Sequence, residues 1–345
     1  MRKSYLLAAA ALLVAASCQK NDNAPSVEGI KYNPVDVVLS AAIEGVDTKV
    51  SYTEDANVLK AAWKAHDKIS IVALDASGKA LSNDVFETTT AGASAKFSGT
   101  YSNPKGAVMV SVLYPALTEG KGTDKEPWHV KKREGTGLSD ASNTPLLSDV
   151  VKEQPFIPLR PLYQLQRGNG DMSNVDEAVV MHGKITDFPA LVAGDVNVTL
   201  KSICYVVKVT AKVPSGYDRL TRIELNATKG TSTAHMGFSG WTRLGDRFGI
   251  SFGKSQSYYE VGLGTTFQSG GSSLGTGVSP DGSGNVVAYI IGYTGAPFVL
   301  PSGTVLEIRA GYGSDSAKFR ETKTLSSDIS LEPGKMYRVN VTLTE

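Results

Sequence analysis

Cysteine is almost missing from this chain of 345 residues: only Cys18 and Cys204 occur, so no framework of intramolecular disulfides can staple the fold. An excess of one charge is missing too. Thirty-five Lys and Arg stand against 34 Asp and Glu, with no large block of either sign, which argues against a nucleic-acid-binding surface. Tyr5 to Ala16 is apolar but shorter than the ~20 residues a membrane-spanning helix needs. Histidine is sparse, and His66, His129, His182 and His235 stand too far apart for metal-ligand spacing. No G-x-S-x-G elbow and no convincing carboxylate pair is present. Gly249 to Ser255 is one residue short of a phosphate loop and reads as a hairpin, while Asp281 to Asn285 lacks the later Glu of a calcium loop and reads as a turn. The expectation is therefore a non-enzymatic protein with no catalytic residues, no metal site and no cofactor. No amphipathic helix of convincing length is visible either.

What is present begins with an address. Arg2 and Lys3 precede the apolar run, and residues 1–17 read as a signal peptide. Val14-Ala15-Ala16-Ser17-Cys18 resembles a bacterial lipobox, in which the cysteine is acylated and becomes the first mature residue. Acyl chains on Cys18, at ~0.8 kcal/mol per buried methylene, would hold the protein on a membrane without a transmembrane helix. Residues 18–28 are polar and aperiodic, a tether. Cys204 lies in the apolar run Ile203 to Val207 and reads as a buried core thiol.

Everything after the tether reads as β. Val35, Val37, Leu39, Ala41 and Ile43 fall on one face of a first strand. Short strands follow at Thr48 to Tyr52, Trp63 to Leu74, Ala95 to Thr100 and Ala107 to Pro115, and residues 118–170 look like long loops with short strands. Strongly β-branched runs at Val196 to Lys201 and Cys204 to Val213 open a second half that continues through Arg222 to Ala227, Val286 to Ile291, Val305 to Tyr312 and Lys318 to Thr324. Gly262 to Asn285, rich in Gly, Ser and Thr, predicts a mobile loop. Asn197, Asn226 and Asn340 open glycan sequons by pattern, in segments that read as strands.

The stretch that organises this reading is the last one. Pro333-Gly334 predicts a turn, and from Tyr337 the chain alternates, with Tyr337, Val339, Val341 and Leu343 on one face and Arg338, Asn340, Thr342 and Thr344 on the other. A half-buried strand at a free end can be exchanged between molecules, because its main-chain hydrogen bonds fit any open sheet edge.

Together, the lipobox at Cys18, Trp63-Lys64-Ala65-His66-Asp67-Lys68-Ile69, the Leu200-to-Val209 run and Leu331 to Leu343 resemble the fimbrillin family. These are lipoprotein pilins, forming type V pili, of anaerobic Gram-negative bacteria. The resemblance implies an all-β chain of two tandem transthyretin-like β-sandwich domains, residues 29–190 and 191–345, behind a lipoprotein signal peptide. It implies a subunit of a cell-surface fimbrium at the outer membrane that contributes to adhesion, with other pilus subunits as partners and a host protein or glycan as a further one. In the family a trypsin-like protease removes the first strand, and the last strand of another subunit fills the groove. Here the displaced strand would carry Val35, Val37, Leu39, Ala41 and Ile43, and the donor Tyr337, Val339, Val341 and Leu343. Two departures stand out: His66 replaces the Gly or Asn usual in its turn, and no arginine follows Cys18 until Arg133, leaving Lys49 as the nearest basic processing site. A chain that keeps its first strand would instead be an anchor, or a lipid-anchored adhesin or glycan-binding lipoprotein that never polymerises.

Overall fold

The computed structural model describes residues 33–43, 53–55, 58–60, 62–118, 156–159, 164–194, 196–244, 250–268 and 274–345, and among these stand twenty-three strands and two short helices. Cys18, the tether, Lys49, Thr48 to Tyr52 and His129 lie outside the described residues. In chain order the first strands are β1 (Val35–Ile43), β2 (Thr53–Asp55), β3 (Val58–Lys60), β4 (Lys68–Leu74), β5 (Ala80–Thr88), β6 (Ser94–Tyr101) and β7 (Met109–Tyr114). Then come β8 (Phe156–Leu159), β9 (Gln164–Gln166), α1 (Ser173–Ala178), β10 (Met181–Ile185), α2 (Phe188–Ala193) and β11 (Asn197–Ser202). The remainder is β12 (Cys204–Lys212), β13 (Arg222–Lys229), β14 (Ser232–Thr233), β15 (Gly237–Leu244), β16 (Ile250–Gln256), β17 (Tyr258–Leu263) and β18 (Asn285–Tyr293). It closes with β19 (Phe298–Leu300), β20 (Val305–Tyr312), β21 (Asp315–Thr324), β22 (Ile329–Leu331) and β23 (Met336–Thr342). The chain is all-β.

Seven strands form one closed sheet in the order β1, β11, β10, β7, β4, β5, β6. Closure comes from the short pairing of Glu87 and Thr88 on β5 with Ser98 and Phe97 on β6. Past residue 190 the chain still belongs to this sheet, because β11 runs parallel to β1 and antiparallel to β10; the crossing to the next sheet falls at Ile203. Two further sheets face each other: β18, β12 and β23 in one, and β21, β20, β13, β17 and β9 with β14 attached in the other. Val207, Val209 and Ile290 of the first and Ile223, Leu225 and Ile308 of the second are buried, and Val207 lines one cavity together with Leu225 and Leu306. β9 comes from the stretch read as long loops, yet it completes the second of these sheets by pairing in parallel with β17. The segment read as a hairpin, Gly249 to Ser255, is in its described part a single strand, β16, which pairs with β15, while β8 pairs with the other side of β15.

The glycine-rich segment 262–285 differs from its expected mobility in its described second part. Val278 and Leu220 exchange both backbone hydrogen bonds at 2.8 and 2.9 Å, and the Gly275 amide donates to Thr221 at 2.8 Å. A Cβ on Gly275 would sit 2.1 Å from the Leu263 carbonyl oxygen, so the glycine permits the close approach that buries Leu274 and Val278. Composition alone hid two apolar anchors.

Candidate functional site

β1 forms as read, with the expected bounds, and its alternation is resolved by burial. Val37, Leu39, Ala41 and Ile43 are buried and Val35 is half-buried, while Asp36 and Val38 are exposed. It lies between two partners. β6 pairs antiparallel along Val35 to Ala42, and β11 pairs parallel along Ser40 to Ile43. Beneath the strand, the Trp63 indole N–H donates to the Ala41 carbonyl at 2.9 Å, and its ring meets Phe97 edge-on at 4.9 Å and Tyr114 at 5.5 Å. At the strand's start the Thr100 hydroxyl donates to Asp36 at 2.7 Å. Gly99, opposite Val37, lets β6 pass over Phe86, whose ring would sit 2.5 Å from a Cβ there. α2 packs against the strand, and the Ser40 amide donates to Val196 at 3.0 Å.

The Trp63 motif leads into β4 through a tight turn. Asp67 Oδ2 accepts from the Lys64 amide at 2.7 Å. His66 takes φ of 71°, the left-handed conformation that glycine or asparagine reaches at least cost. His66 occupies it with its Nδ1 2.7 Å from Glu87.

β23 also forms as read. Tyr337, Val339, Val341 and Leu343 share a face, with Val341 and Leu343 buried and the other two half-buried; Met336, which the alternation left aside, is buried too. The strand runs parallel to β12 from Met336 opposite Val206 to Thr342 opposite Lys212. Its flanks are tied down. The Tyr337 hydroxyl donates to the Ser330 carbonyl at 2.5 Å and accepts from the Glu332 amide at 2.7 Å. The Leu343 amide donates to Lys212 at 3.0 Å, Thr344 and Arg320 exchange backbone bonds, and Lys318 reaches Glu345 at 3.3 Å.

The two edges of the β18–β12–β23 sheet are finished differently. Along β18, side-chain amides take the place of a neighbouring strand. Gln164 accepts from the Ile291 amide and donates to its carbonyl at 2.9 and 2.8 Å, and Gln166 accepts from Tyr289 and donates to Val287 at 2.8 and 2.7 Å. Asn169 accepts from the Val287 amide at 2.7 Å and Asn174 donates to the Tyr289 carbonyl at 2.7 Å. Along β23 a cavity of about 280 Å³ opens beside the strand.

Groups with chemical potential are held inert. Cys204 is buried, its sulfur accepting from the Val180 amide at 3.3 Å, and burial pushes its thiol up to about 12. His182 lies 3.4 Å from the Ser111 hydroxyl, and burial pulls its pKa down to about 4, with Lys184 acting in the same direction. Among the described residues no carboxylate is hydrogen-bonded to that ring. His235 is exposed. Asp281 spends its Oδ1 on the amides of Ser283 and Asn285 at 2.8 and 2.9 Å, the hydrogen bonding of a turn. Among the described residues no cluster of three or more His, Cys, Asp or Glu is arranged to hold a metal.

One feature escaped sequence reading. Across β17, β13 and β20, Arg222 contacts Glu224 and reaches Glu260 at 3.0 Å, while Arg309 reaches Glu224 at 3.3 Å and Glu307 at 2.6 Å. Glu224 and Glu260 are buried. Alternation counts such residues as outward, and only the cross-strand register reveals that they pair with one another.

No protein-family model and no curated protein matches the sequence. Solved structures with a similar chain course include a candidate cell adhesion protein from Bacteroides ovatus, 13% identical, covering 91% of this chain and 95% of its own, at a TM-score of 0.42. The fimbrial anchor protein Mfa2 of Porphyromonas gingivalis is 12% identical, with 89% and 90% covered and a TM-score of 0.38. The tip fimbrial protein Mfa3 of the same organism, with a C-terminal truncation, is 10% identical, with 90% and 96% covered and a TM-score of 0.35. Overlaps this loose carry no functional weight beside the strands themselves.

Proposed function

We propose that this chain is a fimbrillin-like subunit of a cell-surface fimbrium, exported, acylated at Cys18 and assembled by donor-strand exchange. β1 is the strand that leaves, after a cut at Lys49, and β23 is the strand another copy supplies. One observation carries the reading. β1 lies parallel to β11, β23 lies parallel to β12, and each turns period-2 apolar side chains into a core. A β23 placed beside β11 therefore keeps the pairing sense it has beside β12.

Withdrawal of β1 would open a slot between β6 and β11 lined by Trp63, Phe97 and Leu200. Each apolar side chain that refills it is worth roughly 1.5–3 kcal/mol, before the ordering entropy of the incoming strand is subtracted. In this reading the chain folds as tandem transthyretin-like sandwiches with the boundary moved from 190/191 to Ile203, because β11 belongs to the first sheet; the protein sits at the outer membrane until it is cut, and its work is structural and adhesive. The test is limited digestion of the purified, lipid-free protein with a Lys-specific protease. Ladders of denaturant-resistant oligomers are expected; a cleaved protein that stays monomeric speaks against exchange.

A second reading has its own observation. β23 is seated in its own sheet with Met336, Val341 and Leu343 buried, so donation requires its release. A chain that neither loses β1 nor releases β23 is a lipid-anchored adhesin, and intact monomers retaining glycan on an array would favour that outcome.

A further inference from the structure

β23 is held in its own sheet along one side and at its ends. The Lys335 carbonyl accepts from the Val206 amide at 3.0 Å, and the Leu343 amide donates to the Lys212 carbonyl at 3.0 Å. Backbone groups alternate sides along a strand, so those of Tyr337, Val339 and Val341 face β12 as well. Among the described residues no strand pairs with the other side of β23, and the cavity of about 280 Å³ runs there instead. With a single ladder, how firmly the strand stays depends on how its ends are tied.

The two ends are tied differently. Before the strand, Leu331 is buried, β22 pairs with β19, and the Gly334 amide donates to the Cys204 carbonyl at 2.7 Å. Gly334 takes φ of 76°, and a Cβ on it would meet nothing within 4 Å, so this turn stands in open space with room to swing. After the strand, the chain crosses from its own sheet to the facing one. The Arg320 amide on β21 donates to the Thr344 carbonyl at 2.9 Å, the Thr344 amide donates to the Arg320 carbonyl at 3.3 Å, and the Thr344 hydroxyl adds a third bond at 3.0 Å. Beside it Glu345 accepts from the Tyr217 hydroxyl and lies 3.3 Å from Lys318 Nζ. The Tyr217 ring is braced edge-on by Phe319 at 4.7 Å and Tyr312 at 4.9 Å. Thr344, Glu345 and Arg320 are exposed, so each contact is weak alone and the set can open without breaking a core.

We propose that Thr344 and Glu345, held by Arg320, Lys318 and Tyr217, form a latch that keeps β23 in its own sheet, and that the strand opens from this end and swings about Gly334. The inference deepens the exchange reading and rests on it for its purpose: a donor strand has to leave β12, and the latch sets how often it does. The latch itself belongs to the single, uncut chain.

The experiment is residue-resolved hydrogen exchange on the uncut, lipid-free, monomeric protein. Among the amides that face β12, Leu343 is expected to exchange fastest and Tyr337 slowest. Thr344→Pro removes the amide and the hydroxyl that bond Arg320, and should speed exchange at Val341 and Leu343 about tenfold while leaving β18 unchanged. The pair Tyr217→Phe and Lys318→Ala frees Glu345 but keeps the aromatic ring, and should speed the same amides about threefold. Tyr337→Phe unties the start of the strand from Ser330 and Glu332, and should leave Val341 and Leu343 within about twofold of the parent. Should Thr344→Pro disturb folding, seen as faster exchange on β18, the paired surface variant decides. Unchanged exchange at Val341 and Leu343 in the latch variants overturns the proposal, and so does a Tyr337→Phe protein in which the whole strand exchanges faster. Latch variants that expose β23 yet form ladders no faster after the Lys-specific cut would overturn the exchange reading and leave the latch standing.

Discussion

Trp63 connects the core to the strand that is proposed to leave. Its indole N–H satisfies the Ala41 carbonyl in the middle of β1, and its ring is braced by Phe97 and Tyr114. Phenylalanine would keep most of the packing and lose the donor. Trp63→Phe should destabilise the protein by about 1–3 kcal/mol, the cost of a buried acceptor left unmade, read as a lower urea midpoint with an unchanged slope. His182 makes a second residue-scale prediction. Burial lowers its folded pKa from 6.5 to about 4, so between those values the unfolded chain binds the proton first. The stability that neutral His182 allows is fully present above about pH 6.5 and is lost as pH falls toward 4. His182→Gln should reduce the difference in unfolding free energy between pH 7 and pH 4.5 by roughly 1–3 kcal/mol. A variant whose pH dependence matches the parent would show that the ring is not protected as its surroundings indicate.

At the scale of elements, what was legible is what alternation encodes. β1 and β23 were readable because an apolar side chain recurs at every second position, a pattern that assigns a face to each residue. Alternation does not name a neighbour. The parallel pairings of β1 with β11 and β23 with β12 are long-range, and nothing local in the residues distinguishes them from antiparallel ones. β9 was hidden for the opposite reason: Gln164 and Gln166 are polar by composition but buried by function, since they stand in for a strand along β18. α1 and α2, at six residues each, are too short to show a helical period. The amide edge yields a prediction of its own. Gln164→Ala with Gln166→Ala orphans backbone groups of Val287, Tyr289 and Ile291, costing about 1–3 kcal/mol for each group that water does not reach. The bared edge should also pair between molecules, so sedimentation velocity is expected to show concentration-dependent association. A monomer with an unchanged melting temperature would mean that the amides are not what finishes that edge.

Across the whole molecule, the same device occurs twice. A strand with one apolar face lies parallel to a neighbour, and the two neighbours, β11 and β12, follow each other in the chain with only Ile203 between them. That repetition is what the proposed exchange would use, the strand of one copy taking the place of the strand of another. The sequence pointed toward it through the alternation at both ends, while the closed seven-stranded sheet and the position of β1 inside it became visible only in three dimensions. The measurement that bears on it most directly is the intact mass and amino-terminal sequence of the subunit taken from assembled surface material. Exchange predicts a chain that begins after Lys49 and carries no acyl mass, because β1 has been removed with everything before it. An acylated Cys18 still attached to the subunits within the polymer would mean that β1 is retained, and would contradict the account.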